Sequence, residues 1–155
     1  IGSHTVTQRD LTSLDEKSIK EELEKSKLTL EKQDFNVKSL SIPYGKYNQE
    51  IKGIAKNYYE SVRPSDWGLN RLDKIDKYNL KSFWLTNSTP LEEIKSWVDE
   101  AENNNGWAII MVHHVRTNLS REYATHPNDI IQIIEYIKDK GIEVKTVSEV
   151  LEQCG

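Results

Sequence analysis

Three short segments place a histidine or a tight turn directly after a predicted strand. They are Ser3–Gln8, Ile42–Gly45 and Met111–His114. Taken singly each signal is weak, because a lone histidine beside a strand is more often a hydrogen-bonded structural residue, and Pro-Tyr-Gly is ordinarily a turn. Taken together, two histidine-bearing segments and a turn lie where sites form in α/β proteins, which predicts a candidate site.

Strands and helices alternate along the chain and must position these segments. A capping-box pattern at Ser13 and Glu16, a Thr89 cap before Pro90, and Pro127 mark three of the helix starts. The pattern predicts helices over 13–33, 48–58, 89–102, 127–140 and from 147, and strands over 1–6, 37–42, 61–63, 81–86, 107–112 and 142–145. Strict alternation favours an α/β fold with a parallel sheet, either open or forming most of a barrel. Function is then expected at the C-terminal ends of the strands.

Composition excludes several classes of function. The 155 residues suit one domain, and the net charge of −4 argues against a nucleic-acid partner. The lysines between Lys17 and Lys32 alternate with glutamates, which indicates a solvated helix face. No apolar run reaches the roughly 20 residues that a membrane span requires, so the chain is predicted not to be transmembrane. Cys154 is the sole cysteine and has no internal disulfide partner.

Four ordered segments resemble motifs of the polysaccharide deacetylases (NodB-like domains, carbohydrate esterase family 4). Residues 1–12 resemble the motif His-Thr-x-x-His followed by a leucine, and residues 39–48 resemble the Pro-Tyr-Gly motif with its following Asn48. Residues 63–70 and 109–114 resemble two later segments, the second of which ends in a catalytic histidine. The set covers nearly the whole chain in the family's order, and is therefore more specific than any one motif.

The resemblance implies a fold and an activity. We expect a single domain over residues 1–155, built as a distorted, incomplete (β/α) barrel of the deacetylase type. Its substrate would be an N-acetylated polysaccharide or oligosaccharide, from which acetyl groups are removed by hydrolysis with zinc or another divalent metal. The substrate class further implies an extracellular or cell-surface location.

The resemblance also assigns roles to individual residues. His4 and Gln8 would stand at metal-ligand positions, and His113 would be the general acid that protonates the leaving amine. The backbone N–H of Tyr44 would help to hold the oxyanion, and Pro43 and Tyr44 would contact the substrate. Trp84 either lines the acetyl pocket or packs in the core, and Trp67 either stacks on a sugar ring or packs, so both alternatives remain open.

Three departures from the family pattern bear on activity. Gln8 stands where the family has its second histidine, and residues four apart in an extended strand lie about 13 Å apart, so the chain must curl for Gln8 to approach His4. Ser41 stands where many members have an arginine, which is expected to remove one charge from the site.

The third departure concerns the first motif of the family, which carries paired aspartates and lies before Ile1. Asp10, Asp66 and Asp73 are present but outside that motif context. A complementing N-terminal segment could therefore be a partner. The alternative is a catalytically inactive module that binds glycan or serves a structural role. An unrelated α/β hydrolase has little support because no Gly-x-Ser-x-Gly motif occurs.

Overall fold

The computed structural model describes residues 1–154, which contain five α-helices and eight short strands. The helices are α1 (Glu16–Glu31), α2 (Gln49–Ala55), α3 (Leu91–Asn103), α4 (Pro127–Asp139) and α5 (Val147–Gln153). The strands are β1 (Ser39–Ser41), β2 (Ser61–Arg63), β3 (Asn70–Arg71), β4 (Phe83–Trp84), β5 (Gly106–Trp107), β6 (Ile110–Met111), β7 (His114–Val115) and β8 (Ala124–Thr125). The mixture of helices and strands confirms the predicted α/β class.

The chain forms two compact units. The first unit contains residues 1–66, 75–80 and the segment that begins at Val147. Its two strands, β1 and β2, pair in parallel with Ser41 opposite Arg63, and Ser3 forms a parallel bridge to Leu40. Helices α1 and α2 cover these strands with a predominantly apolar core, which consists of Leu11, Ile19, Leu23, Val37, Leu40, Ile42, Ile51, Ile54, Ala55, Tyr59 and Val62. The core therefore fixes the strand ends that carry the first two candidate segments.

The second unit contains residues 67–74 and 81–146. Its strands form three pairs, of which β4–β6 and β7–β8 are parallel and β3–β5 is antiparallel. Its core packs β4 against α3 and α4, and contains Phe83, Leu85, Ile94, Trp97 and Ile133. Ile134 is 59% exposed, because α4 turns only one side of its apolar stripe toward this core. That the two units make one domain stays a prediction.

Two predicted helix starts are wrong by a few residues. Helix α1 is capped by Asp15, whose carboxylate accepts from the Ser18 amide at 2.7 Å. Ser13 instead ends a short 3₁₀ turn and donates to the Asp10 carbonyl oxygen at 2.7 Å. The residue before α3 is Pro90, and the Thr89 hydroxyl accepts from the Thr86 amide, so it serves the preceding loop rather than the helix.

The strands are shorter than predicted, and some do not form. The predicted strand 1–6 reduces to the bridge at Ser3, and 142–145 is not a strand. The apolar run 107–112, which was predicted to be one strand, is half-buried and divides between β5 and β6. In the described residues the strands pair only two by two, so of the two arrangements that the alternation left open, a continuous open sheet is not formed. Among residues 1–154, no helix combines the length and apolarity that crossing a membrane requires.

Candidate functional site

The loop from His4 to Gln8 curls tightly in the first unit. Thr5 and Gln8 adopt left-handed backbone conformations with φ of 65° and 55°. The backbone amide of Gln8 donates to the Thr5 hydroxyl at 3.2 Å, which closes the loop. As a result the Nε2 atoms of His4 and Gln8 lie 3.4 Å apart. The predicted curl is therefore present, and it brings the two candidate ligand positions together.

The hydrogen bonds of His4 define which ring nitrogen faces the loop. Its Nδ1 lies 2.8 Å from the carbonyl oxygen of Ser41, which can only accept. Nδ1 therefore carries the proton in the neutral ring, and Nε2 keeps its lone pair. The side-chain amide of Gln8 is placed to donate to that lone pair. An imidazole held by a backbone carbonyl in this way is oriented as metal-ligating histidines are.

Glu22 on α1 clamps the same loop. Its carboxylate accepts from the backbone amides of Val6 and Thr7 at 2.8 and 2.9 Å and from the Thr7 hydroxyl at 2.5 Å. Partial burial alone would raise the pKa of Glu22, but the hydrogen bonds from Thr7 and Val6 outweigh it and lower the pKa below its ordinary value. Most charged residues of α1 are exposed, as expected of a solvated face, but Glu22 is partly buried because these loop amides have it as their acceptor.

Arg63 supplies a guanidinium beside position 41. Because β1 and β2 are in parallel register, Arg63 lies opposite Ser41, and its Nη2 donates to the Ser41 hydroxyl at 2.5 Å. The Ser41 amide donates to the Ser3 carbonyl oxygen at 2.9 Å. Desolvation lowers the pKa of Arg63. Position 41 itself carries no charge, as its serine implies, but the neighbouring strand brings the guanidinium of Arg63 beside it, and only the strand register could have revealed that.

Pro43, Tyr44 and Gly45 form a 3₁₀ turn, separated from the end of β1 by Ile42 alone. Tyr44 has φ of 56°, which is uncommon for an aromatic residue, and its side chain is 70% exposed. The Gly45 amide donates to the Ile42 carbonyl oxygen at 3.0 Å. Gly45 has φ of +67°, and a Cβ added there would lie 1.9 Å from the Cβ of Ser65. The turn is thus held rigidly with the tyrosine projecting into solvent.

Trp84 and His113 lie near the same end of one strand pair in the second unit. Trp84 on β4 is paired with Met111 on β6, and His113 follows Met111 by two residues. The ring of His113 packs against Tyr123 with a centroid distance of 4.9 Å. The neighbouring His114 is exposed, and its backbone amide donates to the Tyr123 carbonyl oxygen. The two predicted residues of this unit therefore share one strand end.

Trp67 stands at the centre of an aromatic cluster in the second unit. It meets Phe83, Trp84 and Trp97 edge to face at centroid distances of 5.3, 4.4 and 5.2 Å. Its ring nevertheless remains 44% exposed, so it packs against the cluster and also offers surface. Packing and sugar stacking, the two alternatives predicted from the sequence, are thus compatible for Trp67. Trp84 is half-buried, so both of its alternatives, lining the acetyl pocket and packing in the core, stay open.

The three aspartates singled out in the sequence are engaged in local structure. Asp10 caps Thr12 and accepts from Lys46 at 2.6 Å, and the Lys46 hydrogen bond holds the pKa of Asp10 below its ordinary value. Asp66 accepts from Asn79, and Asp73 pairs with Arg71. In the part of the chain described, no group of three or more His, Cys, Asp or Glu side chains could hold a metal ion. His4 and Gln8 alone, one imidazole and one amide, do not fit a zinc site.

The chain matches known proteins in sequence and in fold. Residues 1–60 match the family model described as polysaccharide deacetylase. Among curated proteins, none matches the chain. A polysaccharide deacetylase from Bacillus cereus is 24% identical, with a TM-score of 0.56, over 63% of this chain and 31% of that protein.

Two further solved structures match almost the whole chain. A family 4 domain of a multidomain xylanase, from the hindgut metagenome of Trinervitermes trinervoides, is 21% identical with a TM-score of 0.59, over 98% of this chain and 63% of that one. A family 4 pseudoenzyme from Bacillus anthracis is 16% identical with a TM-score of 0.57, over 97% and 45%. This chain thus spans less than two thirds of each of these structures.

These matches confirm the expected fold type. In the described residues no sheet closes, as expected of an incomplete barrel, and the aligned structures belong to carbohydrate esterase family 4. Residues 1–60 thus match the polysaccharide deacetylase model, and the chain shares its fold with structures of carbohydrate esterase family 4.

Proposed function

We propose that this chain acts as part of a polysaccharide deacetylase that hydrolyses N-acetyl groups on an extracellular or cell-surface polysaccharide. The observation that carries the proposal is the orientation of His4, whose Nδ1 is held by the Ser41 carbonyl oxygen while Nε2 faces the Gln8 loop. An unprotonated nitrogen held in this direction can serve a ligand or a proton transfer. Residues 1–60, which match the family model, contain this histidine, its loop and the Pro43–Gly45 turn.

The reaction would be hydrolysis of an amide. Water adds to the acetyl carbonyl carbon, the C–N bond then breaks, and acetate and a free amine leave. In this proposal His113 protonates the leaving nitrogen, and the backbone N–H of Tyr44 donates to the oxyanion. Pro43, Tyr44 and Trp84 contact the N-acetyl sugar. We derive no metal-dependent step, since the described residues do not fit a zinc site, and a complementing N-terminal segment would supply the carboxylates.

Acetate release from N-acetylglucosamine oligomers tests this proposal directly. The chain is assayed with zinc or cobalt added, beside His113→Ala and the control His114→Ala, which changes the adjacent exposed histidine. Release that disappears in His113→Ala and persists in His114→Ala supports the proposal. If the folded chain releases no acetate, addition of an N-terminal segment with paired aspartates should produce release, and failure there too contradicts the proposal.

A second candidate function is an inactive glycan-binding module. The observation that favours it is the Gln8 amide, which replaces a histidine and donates to the only free nitrogen of His4. The Bacillus anthracis structure with the same fold is described as a pseudoenzyme. Calorimetric binding of the same oligomers in the presence of EDTA separates the two candidates. Binding without metal, unaffected by His113→Ala and without acetate release, would support the inactive module.

A further inference from the structure

A polar pocket of about 370 Å³ lies beside the Pro43–Gly45 turn in the first unit. It is lined by Gly45, Tyr47, Asn48, Gln49, Lys52, Asp66, Asp76 and Asn79. Its volume is near the lower end of the roughly 300–1,000 Å³ typical of ligand pockets, so it suits one ring-sized group. Almost all of the lining is hydrogen-bonding, and an apolar ligand would leave these groups without partners. The pocket therefore calls for a small ligand that both donates and accepts hydrogen bonds.

One of the two carboxylates in the lining is neutralised within the pocket. Lys52 donates to Asp76 at 2.6 Å, and Asn79 donates to Asp66 at 2.6 Å. The carboxylate of Asp76 also accepts from the Tyr78 amide at 3.0 Å. Apart from this ion pair and Asp66, the lining is uncharged, so a cation would match only one of its side chains. A neutral polyhydroxylated ligand fits this balance better.

Hydrogen-bonding capacity remains on both sides of the pocket. Asn48 uses Oδ1 to accept from the Ile51 amide at 2.9 Å, which caps α2 and leaves its Nδ2 as a donor. Asp66 and Asn79 share one bond, which leaves one acceptor oxygen on each. In residues 1–154 these three atoms have no other protein hydrogen bond. Paired donors and acceptors of this kind match the hydroxyl groups of a sugar, each of which can donate and accept.

The pocket is continuous with the proposed substrate turn. Gly45 belongs to both, and it lies directly against Ser65, the residue before Asp66. We infer that this pocket binds a second sugar unit of the same polysaccharide, adjacent to the unit whose acetyl group is removed. This subsite rests on the proposed function, and it makes recognition depend on oligomer length.

The test compares binding of N-acetylglucosamine tetramer and monomer to the 155-residue chain by calorimetry. The pocket variants are Asp66→Asn, which keeps the shape of the side chain, and Gln49→Ala; the control is Glu50→Ala, the next residue on α2 and outside the pocket. Loss of a hydrogen bond to a charged group predicts about tenfold weaker tetramer binding for Asp66→Asn, with monomer binding and the control unchanged. The side-chain amide NMR signals of Asn48 and Asn79 should also shift with tetramer.

The outcomes separate the two proposals. Tetramer binding that survives in both pocket variants, without shifts of the Asn48 and Asn79 signals, overturns the subsite and leaves the proposed function intact. Absence of tetramer binding to the folded, unmodified chain overturns the subsite, whereas the proposed function is overturned only if acetate release also fails with the N-terminal segment added. Thermal unfolding of each variant confirms that its binding reflects a folded protein.

Discussion

The Nε2 atoms of His4 and Gln8 lie 3.4 Å apart because two left-handed residues fold the intervening loop back on itself. This geometry places a second imidazole within reach of the first if position 8 is changed. We predict that Gln8→His raises the affinity for zinc by roughly tenfold or more, because imidazole is a far better zinc ligand than an amide. Histidine also tolerates positive φ better than most residues.

Zinc competition titration measures this change, with Gln8→Ala as the control. Gln8→Ala removes the amide without adding a ligand, and should bind zinc no more tightly than the unmodified chain. Equal affinities of Gln8→His and Gln8→Ala would contradict the assignment of position 8 to the metal side of the site.

The Glu22 clamp predicts a change in local dynamics. Glu22→Ala removes the acceptor of the Val6 and Thr7 amides, so the loop should open more often. Hydrogen exchange measured by NMR should show faster exchange at these two amides, while the amides of α1 keep their protection. The matched control is Glu21→Ala, whose carboxylate pairs only with Lys25 among the described residues. Slow exchange at Val6 and Thr7 in Glu22→Ala would rule out the clamp.

Two glycines of the first unit should respond oppositely to alanine. Gly45→Ala adds a Cβ at φ of +67° and within 1.9 Å of Ser65, so the free energy of unfolding should fall by about 2 kcal/mol or more. Gly53 lies inside α2 with nothing within 4 Å of an added Cβ, so Gly53→Ala should raise it by about 0.5–1 kcal/mol. Denaturant unfolding measures both. If Gly45→Ala were as stable as the unmodified chain, the turn would be able to accommodate the added Cβ, and the prediction would be wrong.

Stability in acid should depend on Asp99 in the second unit. Its carboxylate accepts from the Tyr136 hydroxyl at 2.7 Å and pairs with Lys140 at 3.0 Å, and these contacts lower the pKa of Asp99 below its ordinary 3.8. Because the folded pKa is the lower one, this contribution is complete above about pH 3.8 and is lost as the pH falls through the folded value.

Thermal midpoints of the unmodified chain and Asp99→Asn, measured from pH 7 to pH 3, check this prediction. The unmodified chain should unfold at the higher temperature near neutrality, and the difference should shrink below about pH 3.8. Asp139→Asn, which lies outside this cluster, serves as the control. A difference that is constant across the whole range would contradict the prediction.

Local signals in the sequence predicted much of the fold but little of its long-range pairing. Strand β2 and the start of α2 at Asn48 follow from alternation and capping, which depend on neighbouring residues. The cap at Asp15 rather than Ser13 depended on how the preceding 3₁₀ turn folds. The division of 107–112 into two strands depended on which partners lie beside it. Pairing of that kind is a property of the folded chain and leaves no periodic pattern.

The candidate site shows the same limit. The curl after His4 was predictable because a four-residue separation in an extended strand is too long for shared ligation. The guanidinium of Arg63 at Ser41 and the carboxylate of Glu22 at Thr7 were missed, because each arrives from an element distant in sequence. Only the register of β1 with β2 and the packing of α1 bring them to these positions.

Neither compact unit is a continuous stretch of chain, and this has a consequence for how the protein is made. The first unit includes α5, and Lys38 forms an ion pair with Glu152 at 3.1 Å, across 114 residues of sequence. During synthesis the N-terminal residues leave the ribosome long before this helix exists. The unit that contains His4 therefore cannot complete its native contacts until α5 has been synthesised, which lengthens its exposure to chaperones and proteases in the cell.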